Sequence, residues 1–225
     1  MTLRATVLPI IRHCSALTRS TTAAPSADEQ IEIECRLRLE AEEFYALFTM
    51  LAQSPPTAVT SLGAVRQRDA IYRLPAQRRR ESGSWRDHRS RLCYHPTLNE
   101  LLFAVEKQKM LSAERTIVQL SDAISLCVDA SKEIYTDSKH VLDPRHGAEL
   151  LYWRGKDRRS FVLPDAAHWQ IDLTRVVKYH DAERLSDASV QYEVEFELAH
   201  WALMKAEPGE MMTQLERVVK FVLGV

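Results

Sequence analysis

The chain has no Cys-x-x-Cys pair, no apolar run long enough to span a membrane and no marked excess of one charge sign. Cys14, Cys35, Cys93 and Cys127 are scattered. That spacing argues against a structural zinc site and, with no clear secretory signal, points to reduced thiols in an intracellular compartment. The missing apolar run excludes a transmembrane helix. A formal net charge of −1 argues against a uniformly basic nucleic-acid coat, while 27% charged residues leave room for segregated patches of opposite sign. Acids are also missing from "MTLRATVLPIIRHCSALTRSTTAAPSA", which carries Arg4, Arg12, Arg19 and many Ser and Thr before Asp28. That composition is what a mitochondrial transit peptide looks like, the alternative being a disordered basic tail. In either case residues 1–29 are expected outside the fold. The remainder, residues 30–225, has the length of one domain, and 45% hydrophobic content is ample for its core.

What is present from Gln30 onward is mostly alternation. "IEIECRLRL" places Ile31, Ile33, Cys35, Leu37 and Leu39 on one face and Glu32, Glu34, Arg36 and Arg38 on the other, which predicts a strand. "EAEEFYALFTMLAQ" has Phe44, Leu47, Phe48 and Leu51 at helical spacing and stops before Ser54-Pro55-Pro56. A mixed, Arg-dense stretch follows, and Pro96 to Asn99 looks like a hairpin turn before "LLFAVEKQK". Further strands are predicted over 123–131, 149–163, 168–180 and the start of 190–203, and an amphipathic helix over 210–222. Many strands with few helices suggest a mainly β, α+β domain whose antiparallel sheet closes or nearly closes.

The polar faces of these strands carry the chemistry. "QYEVEFELAH" lines Glu193, Glu195 and Glu197 along one side, at about 7 Å intervals, so the three carboxylates repel one another unless cations compensate. Hard divalent ions take oxygen ligands in open octahedral sites, and Glu32 and Glu34 with one glutamate of a facing strand could hold such an ion. Arg154, Lys156 and Arg158, with Arg91 and Lys107, suit phosphate oxygens. Together the two groups suggest metal-assisted phosphoryl transfer, in which water attacks a phosphorus held by basic residues.

On these motifs the sequence resembles the triphosphate tunnel metalloenzymes, most closely their mRNA 5'-triphosphatase branch. "IEIECR" resembles the first metal motif and "YEVEFEL" the last. "WRGKDRRSF", "WQIDLTRV" and "LLFAVEKQK" resemble the strands between them. The resemblance implies a closed antiparallel eight-stranded β-barrel with a few flanking helices, its lumen the active site. It implies Mg²⁺ or Mn²⁺ on Glu32, Glu34 and Glu197, supported by Glu195 and Glu193. Arg91, Lys107, Arg154, Lys156 and Arg158 would grip the triphosphate, joined by Arg36, with Asp172 and Thr174 shaping the wall. Asp129 falls near the position of the acid that orients the attacking water, where a glutamate is usual. Gln170 and Ala123 stand where the family often has arginine.

The implied activity is hydrolysis of the γ-phosphate of triphosphate-ended RNA to a diphosphate end, the first step of cap formation. A separate RNA guanylyltransferase would be the partner, the protein a monomer or homodimer, and the compartment the nucleus, against which the N-terminal composition sets the mitochondrion. Two other readings stay open: a small-substrate triphosphatase acting on tripolyphosphate, thiamine triphosphate or nucleotides, and a non-catalytic polyphosphate-binding module. Nine arginines against three acids from Arg66 to Arg91 suggest a basic loop that could steer RNA to a tunnel mouth. Trp153, Trp169 and Trp201 are expected in the core.

Overall fold

The computed structural model describes residues 2–20, 29–73, 89–110, 116–143, 147–180 and 188–224. Nine strands are described: β1 (Glu29–Leu39), β2 (Thr60–Arg73), β3 (Arg89–Tyr94), β4 (Leu101–Lys109), β5 (Thr116–Gln119), β6 (Ser125–Thr136), β7 (Glu149–Val162), β8 (Trp169–Tyr179) and β9 (Ser189–Leu198). Five α-helices accompany them: α1 (Leu3–Ser20), α2 (Ala41–Gln53), α3 (Ser138–Leu142), α4 (His200–Lys205) and α5 (Pro208–Leu223). The strands pair in the order β1-β9-β8-β7-β2-β3-β4-β6, and β6 pairs back with β1. Every pairing is antiparallel, so eight strands form the closed barrel that the sequence suggested, and β5 adds to the start of β6.

Two-residue periodicity decides what faces where. The odd-numbered face of β1 and the even-numbered face of β9 point outward. There Ile33, Cys35, Leu37, Val194, Phe196 and Leu198 enter the main apolar core beneath α1, α2, α4 and α5. Burying each larger aliphatic or aromatic side chain there contributes about 1.5–3 kcal/mol. Trp169 anchors the layer: it is fully buried, and its indole N–H donates to the Met211 carbonyl at 2.7 Å, tying β8 to α5. A second, smaller core lies outside β2, β3 and β4, where Ala70, Leu92, Ala104 and Val141 meet.

Local signals set the helix limits. Glu40 and Glu43 form a capping box at the start of α2, which ends at Ser54 before the two prolines. Pro208 opens α5, and Gly224 closes it at φ 70. The β3–β4 hairpin turns through Asn99 at φ 57, as its sequence predicted.

Four expectations are corrected. Residues 3–20, expected outside the fold, form α1: Leu3, Val7, Ile11 and Cys14 are buried in the main core on one helical face. Arg4 pairs with Glu216, and Arg19 donates to the carbonyls of Leu203 and Ala206. The arginines that suggested a targeting segment thus flank an apolar stripe that docks on α4 and α5. The Arg66–Arg91 segment is not a continuous loop: its first part lies in β2 and its last residues in β3. The remainder, 74–88, falls outside the described residues, as do 21–28. The strand predicted to end at Ser131 runs on to Thr136. Trp201, expected in the core, lies on α4 and is 45% exposed.

Candidate active site

The strand register brings the charged faces together. Glu34 stands opposite Glu197, Arg36 opposite Glu195 and Arg38 opposite Glu193 across β1 and β9. Glu195 faces Asp172 and Glu193 faces Thr174 across β8, and Thr174 in turn faces Arg158 on β7. Arg154 faces Asp69 on β2, Lys107 faces Glu133, and Asp129 and Ser131 face Glu34 and Glu32. Directly opposed residues in an antiparallel sheet share a face, so all of these side chains line the lumen of one barrel. Lys156 is 8% and Glu195 3% exposed, as inward-facing positions of a closed barrel require.

The lumen is divided by charge. On one wall Arg36 holds the acids in place, with Nη2 2.6 Å from Glu34 Oε1, Nε 2.8 Å from Glu195 Oε1 and Nη1 3.9 Å from Glu193 Oε2. Arg36 thus lies on the lumen face, and its guanidinium braces carboxylates. Arg158 bridges Asp172 at 2.9 Å and Glu195 at 3.0 Å and lies 3.9 Å from Glu197. Gln170 donates to Asp172 Oδ1 at 2.8 Å, so with Arg158 it orients the buried Asp172 carboxylate. Arg154 is fixed by Asp69 at 2.7 Å, and Gln67 donates to the other Asp69 oxygen at 2.9 Å. Across the lumen Lys107 is ion-paired with Glu32 and lies 3.8 Å from both Glu34 and Glu133, and Arg91 is 3.4 Å from Glu133.

The proton affinities follow from this arrangement. Burial raises the Glu32 carboxyl, and Glu34 and Glu133 add to the rise against the pull of Lys107. Glu197 is pushed up to about 8, by burial first and then by Glu32, because Arg158 only partly compensates. Burial also acts on Glu34, but Lys107 and Arg36 outweigh it and hold this carboxyl below the ordinary range. Lys156 is pulled down to about 7, by burial and then by Arg154. Thr174 Oγ1 is buried with no hydrogen-bond partner among the described residues.

Charges buried this deeply cost stability unless well paired, and apolar replacements would serve a merely structural barrel better. Packing alone would therefore not select this charged lumen.

The donor set of Glu32, Glu34 and Glu197 is all carboxylate oxygen, the donor type that a hard divalent cation takes. In this geometry the Lys107 ammonium stands among Glu32, Glu34 and Glu133. Among the described residues no three acidic, His or Cys side chains converge on one point.

Two lumen acids went unnoticed in the sequence. Glu133 is buried and faces Arg91 and Lys107, whereas Asp129 is paired with Lys109 at 3.1 Å, its side chain 21% exposed against 4% for Glu133. Asp69 is fully buried behind Arg154. The alternation Asp129, Ser131, Glu133 was the available signal for the first. Gln67, Asp69, Ile71 was the signal for the second.

A family model described as the mRNA capping enzyme, beta chain, matches residues 38–223. The match begins after Glu32, Glu34 and Arg36, whose placement rests on the strand register. No curated protein matches the sequence. Among solved structures, the Mimivirus capping enzyme triphosphatase is similar at TM-score 0.60 and 13% identity, covering 95% of each chain. The S. pombe Pct1 RNA triphosphatase, in complex with the Spt5 CTD, is similar at TM-score 0.57 and 16% identity, covering 96% of this chain and 90% of that one.

Proposed function

The chain belongs to the mRNA capping enzyme beta chain family, and on that premise we propose that it is a metal-dependent polynucleotide 5'-triphosphatase that removes the γ-phosphate of triphosphate-ended RNA. The observation that supports this most is the closed barrel whose lumen-facing positions include Glu32, Glu34 and Glu197 and also Arg91, Lys107, Lys156 and Arg158. The wall of cations matches a chain of phosphates, and the cluster of acids matches the ion that accompanies it.

Glu32, Glu34 and Glu197 would hold Mg²⁺ or Mn²⁺, which when bound supplies charge neutralisation at a phosphate oxygen. Glu195 and Glu193 support that shell through Arg36, which braces both. Lys156, Arg158 and Arg91 hold the triphosphate and stabilise the charge that gathers on its oxygens as the γ-phosphorus is attacked. Arg154, fixed by Asp69, extends the row. Glu133, in place of Asp129, is the acid positioned to orient the attacking water, being buried and flanked by Arg91 and Lys107. Asp172 and Thr174 shape the wall opposite.

The diphosphate end so produced is the substrate of an RNA guanylyltransferase, proposed as a separate chain. The proposed compartment is the nucleus. No described helix is long and apolar enough to cross a membrane. The test is γ-phosphate release from triphosphate-ended RNA with Mg²⁺ or Mn²⁺, compared with release from tripolyphosphate. Release from RNA, with a diphosphate end as product, supports the reading. Release from tripolyphosphate alone would refute it.

A further inference from the structure

The two mouths of the tunnel are chemically unlike. One is formed by the C-termini of β1, β2, β4 and β8 and the N-termini of β3, β6, β7 and β9. Its lumen-facing positions include Arg38, Arg89, Lys109, Arg154 and Lys178, against the acids Asp69, Asp129 and Glu193. At the other mouth the described lumen-facing positions include the uncharged Gln30, Phe103, Tyr135, Ser160 and Gln170. Glu197, opposite Gln170, brings the acid cluster close to that end. A polyanion therefore meets attraction at the first mouth and carboxylates at the second.

The row of cations on β7 points the same way. Arg158 touches the acid cluster, and Lys156 and Arg154 follow on the same face at about 7 Å intervals toward the basic mouth. The next residue on that face is Tyr152. The Lys178 ammonium lies 4.0 Å from its ring centroid, and His180 meets it edge-on at 6.5 Å and 77°. Half-buried and braced by Lys178, the ring is held in one orientation at the end of the phosphate row.

We infer that triphosphate-ended RNA enters through the basic mouth with its γ-phosphate leading, and that Tyr152 with Lys178 forms a subsite for the first nucleoside. The base stacks on the ring face that Lys178 does not cover, and the ammonium meets the phosphate that follows the ribose. Stacking of this kind tolerates any base, so the subsite recognises a nucleoside without selecting its sequence. This subsite rests on the RNA triphosphatase reading, from which it is experimentally separable.

The test is steady-state hydrolysis of triphosphate-ended RNA and of tripolyphosphate, which has no nucleoside, by wild type, Tyr152→Ala, Tyr152→Phe and Tyr135→Ala. Tyr152→Ala is expected to raise KM for RNA at least about fivefold at nearly unchanged kcat, the scale of one lost base stack. Its KM for tripolyphosphate should move less than about twofold, since the change removes no phosphate contact. Tyr152→Phe, which keeps the ring, should restore the RNA value. Tyr135→Ala, at the other mouth, should leave it unmoved. Equal losses on both substrates would make Tyr152 a structural residue, and no loss on RNA would remove the subsite. A KM effect confined to Tyr135→Ala would reverse the direction of entry. Wild type inactive on RNA would overturn the functional reading itself, and the subsite with it.

Discussion

The Lys107 ammonium is ion-paired with the Glu32 carboxylate across the barrel lumen, and it lies 3.8 Å from Glu34 as well. The residue expected to grip phosphate thus stands among the residues expected to hold the metal. Burial lowers Lys107, but Glu34, Glu32 and Glu133 more than offset it, so the group stays charged. A divalent ion held by Glu32 and Glu34 would compete with this ammonium for the same carboxylates and would leave it to the substrate phosphates.

Lys107→Gln is therefore expected to do two opposite things. Mn²⁺ should bind more tightly in the absence of substrate, because one competing cation is gone. The kcat for γ-phosphate release should fall by about 10² or more, because a charge at the transferring phosphoryl is lost. Calorimetric titration with Mn²⁺ beside a phosphate-release assay checks both. Weaker Mn²⁺ binding would show that Lys107 supports the site and does not compete for it.

The water-orienting acid can be decided between Glu133 and Asp129. Glu133→Gln should lower kcat by about 10²–10⁴ with KM changed only a few-fold, the range of a lost general base or orienting group. Asp129→Asn should cost much less, since Asp129 is paired with Lys109 at the basic mouth. The reverse ranking would return the role to Asp129.

Lys156 is expected to give phosphate binding in the lumen a pH dependence. Its ammonium is lowered from the ordinary lysine value to about 7, by burial first and Arg154 second, so in the free protein it is charged below that pH and neutral above. Phosphate requires the charged form. Binding above pH 7 must then take up a proton, and affinity for tripolyphosphate should fall with pH, by at most about tenfold per unit. Lys156→Arg keeps its charge throughout and should flatten that fall. Titrations of the two proteins from pH 6 to 9 share the ionisation of the ligand and of Glu197, which is pushed up to about 8, so the difference in slope belongs to Lys156. Parallel slopes would contradict the assignment.

The lumen was legible because alternation survives in sequence. Glu32 and Glu34, Arg154 through Arg158, and Glu193 through Glu197 all lie on the face that their parity predicts. What stayed hidden lay at strand ends and in helices. Glu133 fell two residues beyond a strand predicted to stop at Ser131, and Asp69 sat in an Arg-dense run read as loop. The stripe of Leu3, Val7, Ile11 and Cys14 has meaning only against α5, a partner about 200 residues away that composition does not reveal.

That stripe makes a stability prediction. Ile11 is fully buried where α1 meets the main core, so Ile11→Ala should cost about 2–5 kcal/mol by the large-to-small rule. Arg12→Ala, on the outer face of the same helix, should cost little. Denaturant unfolding of the two variants checks this, and equal stability would mean that α1 does not pack as described.

The acids and cations of one barrel lumen are proposed to cleave a triphosphate end together. The most direct measurement is release of labelled γ-phosphate from triphosphate-ended RNA with Mn²⁺, by wild type and by Glu34→Gln. Wild type is expected to show metal-dependent release that leaves a diphosphate end, and the variant to lose about 10² or more of it. Release that persists without metal or survives Glu34→Gln would contradict the proposal.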